Sequence, residues 1–228
     1  MTKRSSKNVL MENKSNKSVL MDKKSSKNVL MEIVRAQFRV KSLYPKTFDR
    51  NAPRRDPIYV ASSFTYAVLA VLVYFSTNVP AYTVINENFT KLMFSIALVF
   101  QSFCTYNSDV VHIGLPSLFH SFDRLFASLM TLSFGLNIWF VPNDERMMFL
   151  MGVPLSVSLL CRSRISRIRG LNHRDFLFWH SCWHYHLPLN TALWVLIRQP
   201  NASRPVYLLL CIIFNLSTCI LHIYYPPE

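Results

Sequence analysis

From residue 57 onward the chain alternates between uncharged apolar stretches and short polar joints. Residues 57–85 carry no charge, and their centre, residues 59–79, has the length of about 20 residues that a helix needs to cross a bilayer. Residues 92–108 and 125–143 are likewise uncharged. Residues 147–161 form a shorter and weaker candidate span, residues 176–197 hold three histidines in an otherwise apolar setting, and residues 205–225 complete the series. The pattern predicts an all-α fold: a polytopic transmembrane helix bundle of about six spans over residues 57–228.

Residues 1–56 follow a different rule. They contain a repeat of period ten, in which Ser5-Ser6-Lys7-Asn8-Val9-Leu10-Met11 returns at Ser15-Asn16-Lys17-Ser18-Val19-Leu20-Met21 and at Ser25-Ser26-Lys27-Asn28-Val29-Leu30-Met31. On a helix of 3.6 residues per turn, a ten-residue step rotates the Val-Leu-Met triad by about 80° each time. No continuous apolar face results, which predicts a low-complexity, disordered tail. No apolar core of a secretory signal lies near Met1, and the tail's acidic residues do not suit a transit peptide.

Composition narrows the class. The chain is 51% hydrophobic and only 16% charged, against roughly 25% charged in an average soluble domain. That excludes an ordinary soluble domain, and the apolar content excludes a wholly disordered chain. The formal charge is nevertheless +13. Residues 1–56 hold 15 Lys and Arg against 5 Asp and Glu, whereas residues 57–228 hold 10 against 7. A basic arm on an apolar body suits a cytosolic tail beside anionic lipid. Its aromatic residues are too sparse for a base-stacking platform, so no nucleic-acid partner is expected.

Charge also sets the expected sidedness. Arg54 and Arg55 precede the first span, and Arg162, Arg164, Arg167, Arg169 and Arg174 crowd the joint between the fourth and fifth. Basic joints stay on the cytoplasmic side, and with six spans both of these, together with both termini, fall inside. Arg198 and Arg204 then lie outside as an exception. Asn88-Phe89-Thr90 and Asn201-Ala202-Ser203 match the glycosylation sequon on the outer side. Cys104, Cys161, Cys182, Cys211 and Cys219 show no C-x-x-C pair and read as packing residues.

Ionisable groups at membrane depth are costly and mark functional paths or bundle interiors. Ser108 and His112 are four apart, one helical turn from each other. Asp123 follows eleven residues after His112, and His180 and His184 repeat the four-residue spacing. In the expected topology the second span ends inside and the third and fifth begin inside, so these residues share one depth. Three imidazoles and a carboxylate on neighbouring helices make an open metal site, since catalytic zinc takes three protein ligands and leaves a position for water. A single H-x-x-x-H in an apolar helix also fits packing or helix–helix hydrogen bonding. His186 is about 200° around the helix from His184 and misses the site. His120 reads as a solvated loop residue or a support for Asp123, Asp109 as a cap or an interface pair, and His173 and His222 carry no assignment.

The combined spacing, Ser-x3-His, ten residues, Asp, and a late His-Ser-x-Trp-His, resembles the CREST superfamily of membrane proteins. That group includes alkaline ceramidases, progestin and adipoQ receptors, GPI-anchor remodelling proteins and myomaker-like proteins. The resemblance spans about residues 57–197 and implies a seven-helix bundle with a zinc site. It assigns His112, His180 and His184 as zinc ligands, Asp123 as the proton shuttle, and Ser108 as the residue that orients the site or steadies an oxyanion. The family places three spans between the aspartate helix and the paired-histidine helix, and this chain has one. Two functions follow as expectations: zinc-dependent hydrolysis of an amide or ester bond in a lipid, or a non-catalytic receptor, fusion factor or scaffold that keeps the metal for structure.

Overall fold

The computed structural model describes residues 38–42, 44, 48–76, 87–139, 141–168 and 173–224. The repeat-bearing part of the tail, and the side chains of Arg167 and Arg169, lie outside the described residues. Every regular element among the described residues is helical: α1 (Asn51–Arg55), α2 (Pro57–Ser62), α3 (Thr65–Phe75), α4 (Glu87–Tyr106), α5 (Phe119–Leu136), α6 (Asn143–Ile168), α7 (His173–Ile197) and α8 (Arg204–Tyr224). A π-helical turn, Asn107–Val111, ends α4, and a 3-10 turn, Asn137–Trp139, follows α5.

Among the described residues, four helical stretches are long and apolar enough to cross a membrane: Pro57–Phe75, Asn88–Val111, Glu145–Ile165 and Arg204–Tyr224. They correspond to the first, second, fourth and sixth stretches expected from the apolar pattern. The two remaining expected spans fall on α5 and α7, which are helices of 18 and 25 residues carrying the aspartate and the paired histidines. At 1.5 Å per residue, α7 is about 37 Å long.

The position of α7 explains the polar side chains it carries near mid-helix. Its buried residues, from Phe176 through His180, Trp183, His186 and Asn190 to Ile197, cover about 220° of its circumference, and Phe178 and Leu189 lie on the exposed remainder. It packs against α2, α3, α6 and α8, so its polar side chains meet protein groups instead of lipid. The principal core gathers Tyr66, Leu69 and Val73 of α3, Leu98 of α4, Phe149 of α6, and Leu187, Trp194 and Val195 of α7. By contrast α8 buries a narrow stripe, Cys211, Asn215 and Thr218, at four- and three-residue spacing. Its Leu209, Ile213, Leu216 and Ile220 are exposed, as a lipid-facing side requires.

The compact unit extends back to Val40. Residues that the charge pattern grouped with the tail are packed onto the bundle: Tyr44 is 3% exposed, meets Phe176 at 5.5 Å between ring centroids, and donates its hydroxyl hydrogen to the Asp49 carbonyl. Burial, with the Asp49 carboxylate nearby, pushes the Tyr44 phenol up to about 12. Tyr44, Tyr59, Ile113, Phe176 and Leu177 make a second apolar cluster, with Phe48 against it. Asp56 caps α2 by accepting from the amides of Ile58 and Tyr59, and Pro57 occupies the first turn, where no helical N–H is needed.

Candidate metal centre

Polar groups converge where the end of α4 meets the first half of α7. His180 and His184 lie one turn apart on α7, and the four-residue spacing points both rings to the same side. Their Nε2 atoms are 3.1 Å apart. The third group is Asp109, on the π-helical turn, whose Oδ2 is 3.0 Å from His180 Nε2 and 3.2 Å from His184 Nε2. All three residues are buried, and together they form a group that could hold a metal ion.

The donor set fits a small divalent cation. Bonds of about 2.0 Å in a tetrahedral site put neighbouring ligand atoms about 3.3 Å apart, close to the observed separations. Two imidazole nitrogens and one carboxylate oxygen are ligands for zinc and for other first-row metals alike. Aromatic rings hold the imidazoles in place: Phe176 and Tyr59 stack on His180 at 5.2 and 5.8 Å, and the edge of Tyr66 meets His184 at 6.4 Å.

Of the three histidines expected as ligands, His180 and His184 are brought together and His112 is not part of the group. The reason lies in the local backbone. Ser108 and His112 share a face only while the helix keeps α geometry, but α4 widens at its end, and the His112 amide donates to the Asn107 carbonyl five residues back, at 2.9 Å. The helix stops there, and the His112 ring stacks on Phe119 at 5.6 Å. Arg54 reaches across from α1 and donates to the Val110 and Val111 carbonyls, at 3.0 and 2.7 Å, supplying partners that a helix end lacks. Asp109, read from sequence as a cap or interface pair, faces the histidines instead.

Asp123 occupies the first turns of α5, 5% exposed and within electrostatic reach of both Asp109 and His184. Its Oδ1 accepts from the hydroxyl of Thr105 and from Gln101 Nε2, at 2.5 and 2.9 Å. Gln101 and Thr105 of α4 and Ser108 and Asp109 of the π-helical turn follow one another along one side, at spacings of four, three and one residues. Gln101 Oε1 and the Tyr66 hydroxyl are buried beside this group and bond no described residue. Ser108 donates to Asp109 Oδ1 at 3.1 Å.

His120 corrects the loop reading. It is 1% exposed, and its Nδ1 lies 2.7 Å from Ser108 Oγ. Its burial was not legible because the residues before it, Gly114 through Phe119, include Gly, Pro and Ser, the composition of a surface turn. His186 stays clear of the centre, as its position on the helix predicts, and pairs with Ser156 of α6 at 2.7 Å. His222 lies against Trp179 at 5.3 Å, and His173 against Phe48 at 6.0 Å.

One backbone feature ties the centre to α3. Pro188 has no N–H, so the carbonyl of His184, four residues earlier, has no helical donor. The Thr65 hydroxyl lies 2.9 Å from that carbonyl and 2.8 Å from the Ser62 carbonyl, and its single hydrogen serves both. The five cysteines are all free. No family model, curated protein or solved structure matches the chain.

Proposed function

We propose that the chain is a six-span member of the CREST superfamily that binds zinc and hydrolyses an amide or ester bond of a lipid, drawing its substrate from the bilayer. The observation that carries this reading is the convergence of Asp109 Oδ2 with the two Nε2 atoms of His180 and His184 at 3.0–3.2 Å in a buried setting. A divalent ion bound there supplies a Lewis acid and a source of hydroxide near neutral pH. Asp109, His180 and His184 hold the ion. Asp123, anchored by Thr105 and Gln101, receives the proton released at the reacting centre and returns it to the leaving group. Tyr66 and Gln101 keep buried polar atoms without a described partner, which suits the polar part of a substrate.

A second reading is a metal site that serves structure in a non-catalytic receptor, fusion factor or scaffold. It is favoured by the burial of the ligands, since His180 is 2% and His184 1% exposed, and structural zinc sites are closed.

Metal analysis of protein purified in detergent, beside the His180→Ala, His184→Ala double variant, tests both. About one zinc per chain in the wild type and none in the variant is the expected result, and equal contents would overturn both. With zinc in place, the hydrolase reading expects lipid turnover that Asp123→Ala abolishes without removing metal. Wild-type protein that keeps zinc and turns over no lipid amide or ester leaves the structural reading.

A further inference from the structure

We propose that His120 is a positioning residue that holds Asp109 in its ligating orientation, acting through Ser108. The proposal rests on the metal reading and extends it outward by two residues. Asp109 divides its oxygens: Oδ2 faces His180 and His184, and Oδ1 meets Ser108 Oγ at 3.1 Å. Ser108 Oγ in turn lies 2.7 Å from His120 Nδ1, and His120 Nε2 lies 2.8 Å from the Leu115 carbonyl. A carbonyl only accepts, so Nε2 carries a hydrogen and donates it, and on a ring with that one hydrogen Nδ1 accepts from Ser108 Oγ, whose single hydrogen serves both Nδ1 and Asp109 Oδ1. Ser108, Asp109 and His120 are 3%, 9% and 1% exposed, so no solvent competes for these bonds.

The outer end of the chain is itself placed. Gly114 has φ of 72°, in the left-handed region, and an added Cβ there would meet Arg50 Nε at 3.1 Å. The turn this permits, closed by the Leu115 amide on the His112 carbonyl at 2.9 Å, presents the Leu115 carbonyl to His120. A continuous path therefore runs from the joint between α4 and α5, through the first turn of α5, to the carboxylate on the π-helical turn. A carboxylate tethered at one oxygen meets the ion already oriented, and partners of this kind govern metal affinity by roughly 10- to 100-fold.

The structure contains its own control. His186 Nδ1 lies 2.7 Å from Ser156 Oγ and the residue is 2% exposed, the same buried His–Ser pairing with no bond to Asp109.

The test measures zinc affinity of the full chain in detergent by competition with a chromophoric chelator, together with the visible absorption of the cobalt-loaded protein. His120→Ala and Ser108→Ala are each expected to weaken zinc binding by about tenfold or more and to alter the cobalt spectrum. The double variant should be no weaker than either single one, because both break the same path. His120→Gln, whose amide can donate to Leu115 and meet Ser108, should restore affinity and spectrum, and His186→Ala should match the wild type. Wild-type affinity in Ser108→Ala overturns the proposal, as do additive losses in the double variant or an equal loss in His186→Ala. If His120→Ala does not fold, Ser108→Ala and His120→Gln decide the matter alone. A wild-type chain that takes up no zinc overturns the metal reading itself, whereas zinc binding indifferent to Ser108 and His120 removes only their positioning role.

Discussion

Asp109 and His112 are three residues apart, and the difference between them decides which of the two joins His180 and His184 in the candidate metal group. In an unbroken α-helix either could face α7. The π-helical turn and the Arg54 side chain that caps it select Asp109 and turn His112 onto Phe119. Asp109→Asn is therefore expected to lower metal affinity at least tenfold, since it removes a charged ligand, whereas His112→Ala should retain it within about threefold. Competition titration against a chelator measures both, and loss in His112→Ala with retention in Asp109→Asn would reverse the assignment. The His180–His184 pair was legible in sequence because the four-residue spacing inside a long helix dictates a common face. The third member of the candidate group was not, because it depends on where the helix widens.

At the level of elements, Glu145 clamps three helices at the end of the bundle away from the metal centre. The residue is 1% exposed, and its carboxylate accepts from Trp194 Nε1 at 2.9 Å, from Arg198 at 2.7 and 2.9 Å, and from Arg204 at 2.9 Å. It thereby joins the start of α6 to the end of α7 and the start of α8. Arg198 and Arg204 were exceptions to the charge asymmetry expected of the joints, and their pairing with Glu145 offsets them. Glu145 is buried while the Arg198 and Arg204 side chains are 22% and 47% exposed, so Glu145→Gln, which removes the charge behind these bonds, should destabilise the fold by about 2 kcal/mol. Unfolding in mixed detergent micelles would register this as an earlier midpoint, and an unchanged midpoint would show that the clamp contributes nothing. A second contact between α6 and α7 is close because Gly152 leaves room for Asn190: an added Cβ would lie 3.1 Å from that side chain. Asn190 Oδ1 also accepts from Asn215 Nδ2 of α8 at 2.9 Å, so polar groups link these three helices near their middle as well.

For the whole molecule, the proposed six spans with both termini inside would put residue 201 outside and residue 164 inside. Single cysteines introduced at those positions in a chain lacking its native five should react differently with a membrane-impermeant reagent in sealed cells. Labelling at residue 201 and protection at residue 164 until the membrane is opened is the expected result, and the opposite pattern would invert the topology. By itself the sequence determined that the chain is helical and membrane-like, because uncharged stretches of span length satisfy their backbone hydrogen bonds only as helices. It also determined the shared face of His180 and His184, a property of helix geometry. Three things waited for the tertiary structure. The burial of His120 and Tyr44 depends on segments that read locally as a turn and as a basic tail, the choice of Asp109 depends on a turn held open from α1, and the polar character of α7 is tolerated because other helices pack against its polar side. Each is a contact between residues distant in sequence, and local periodicity carries no record of such contacts.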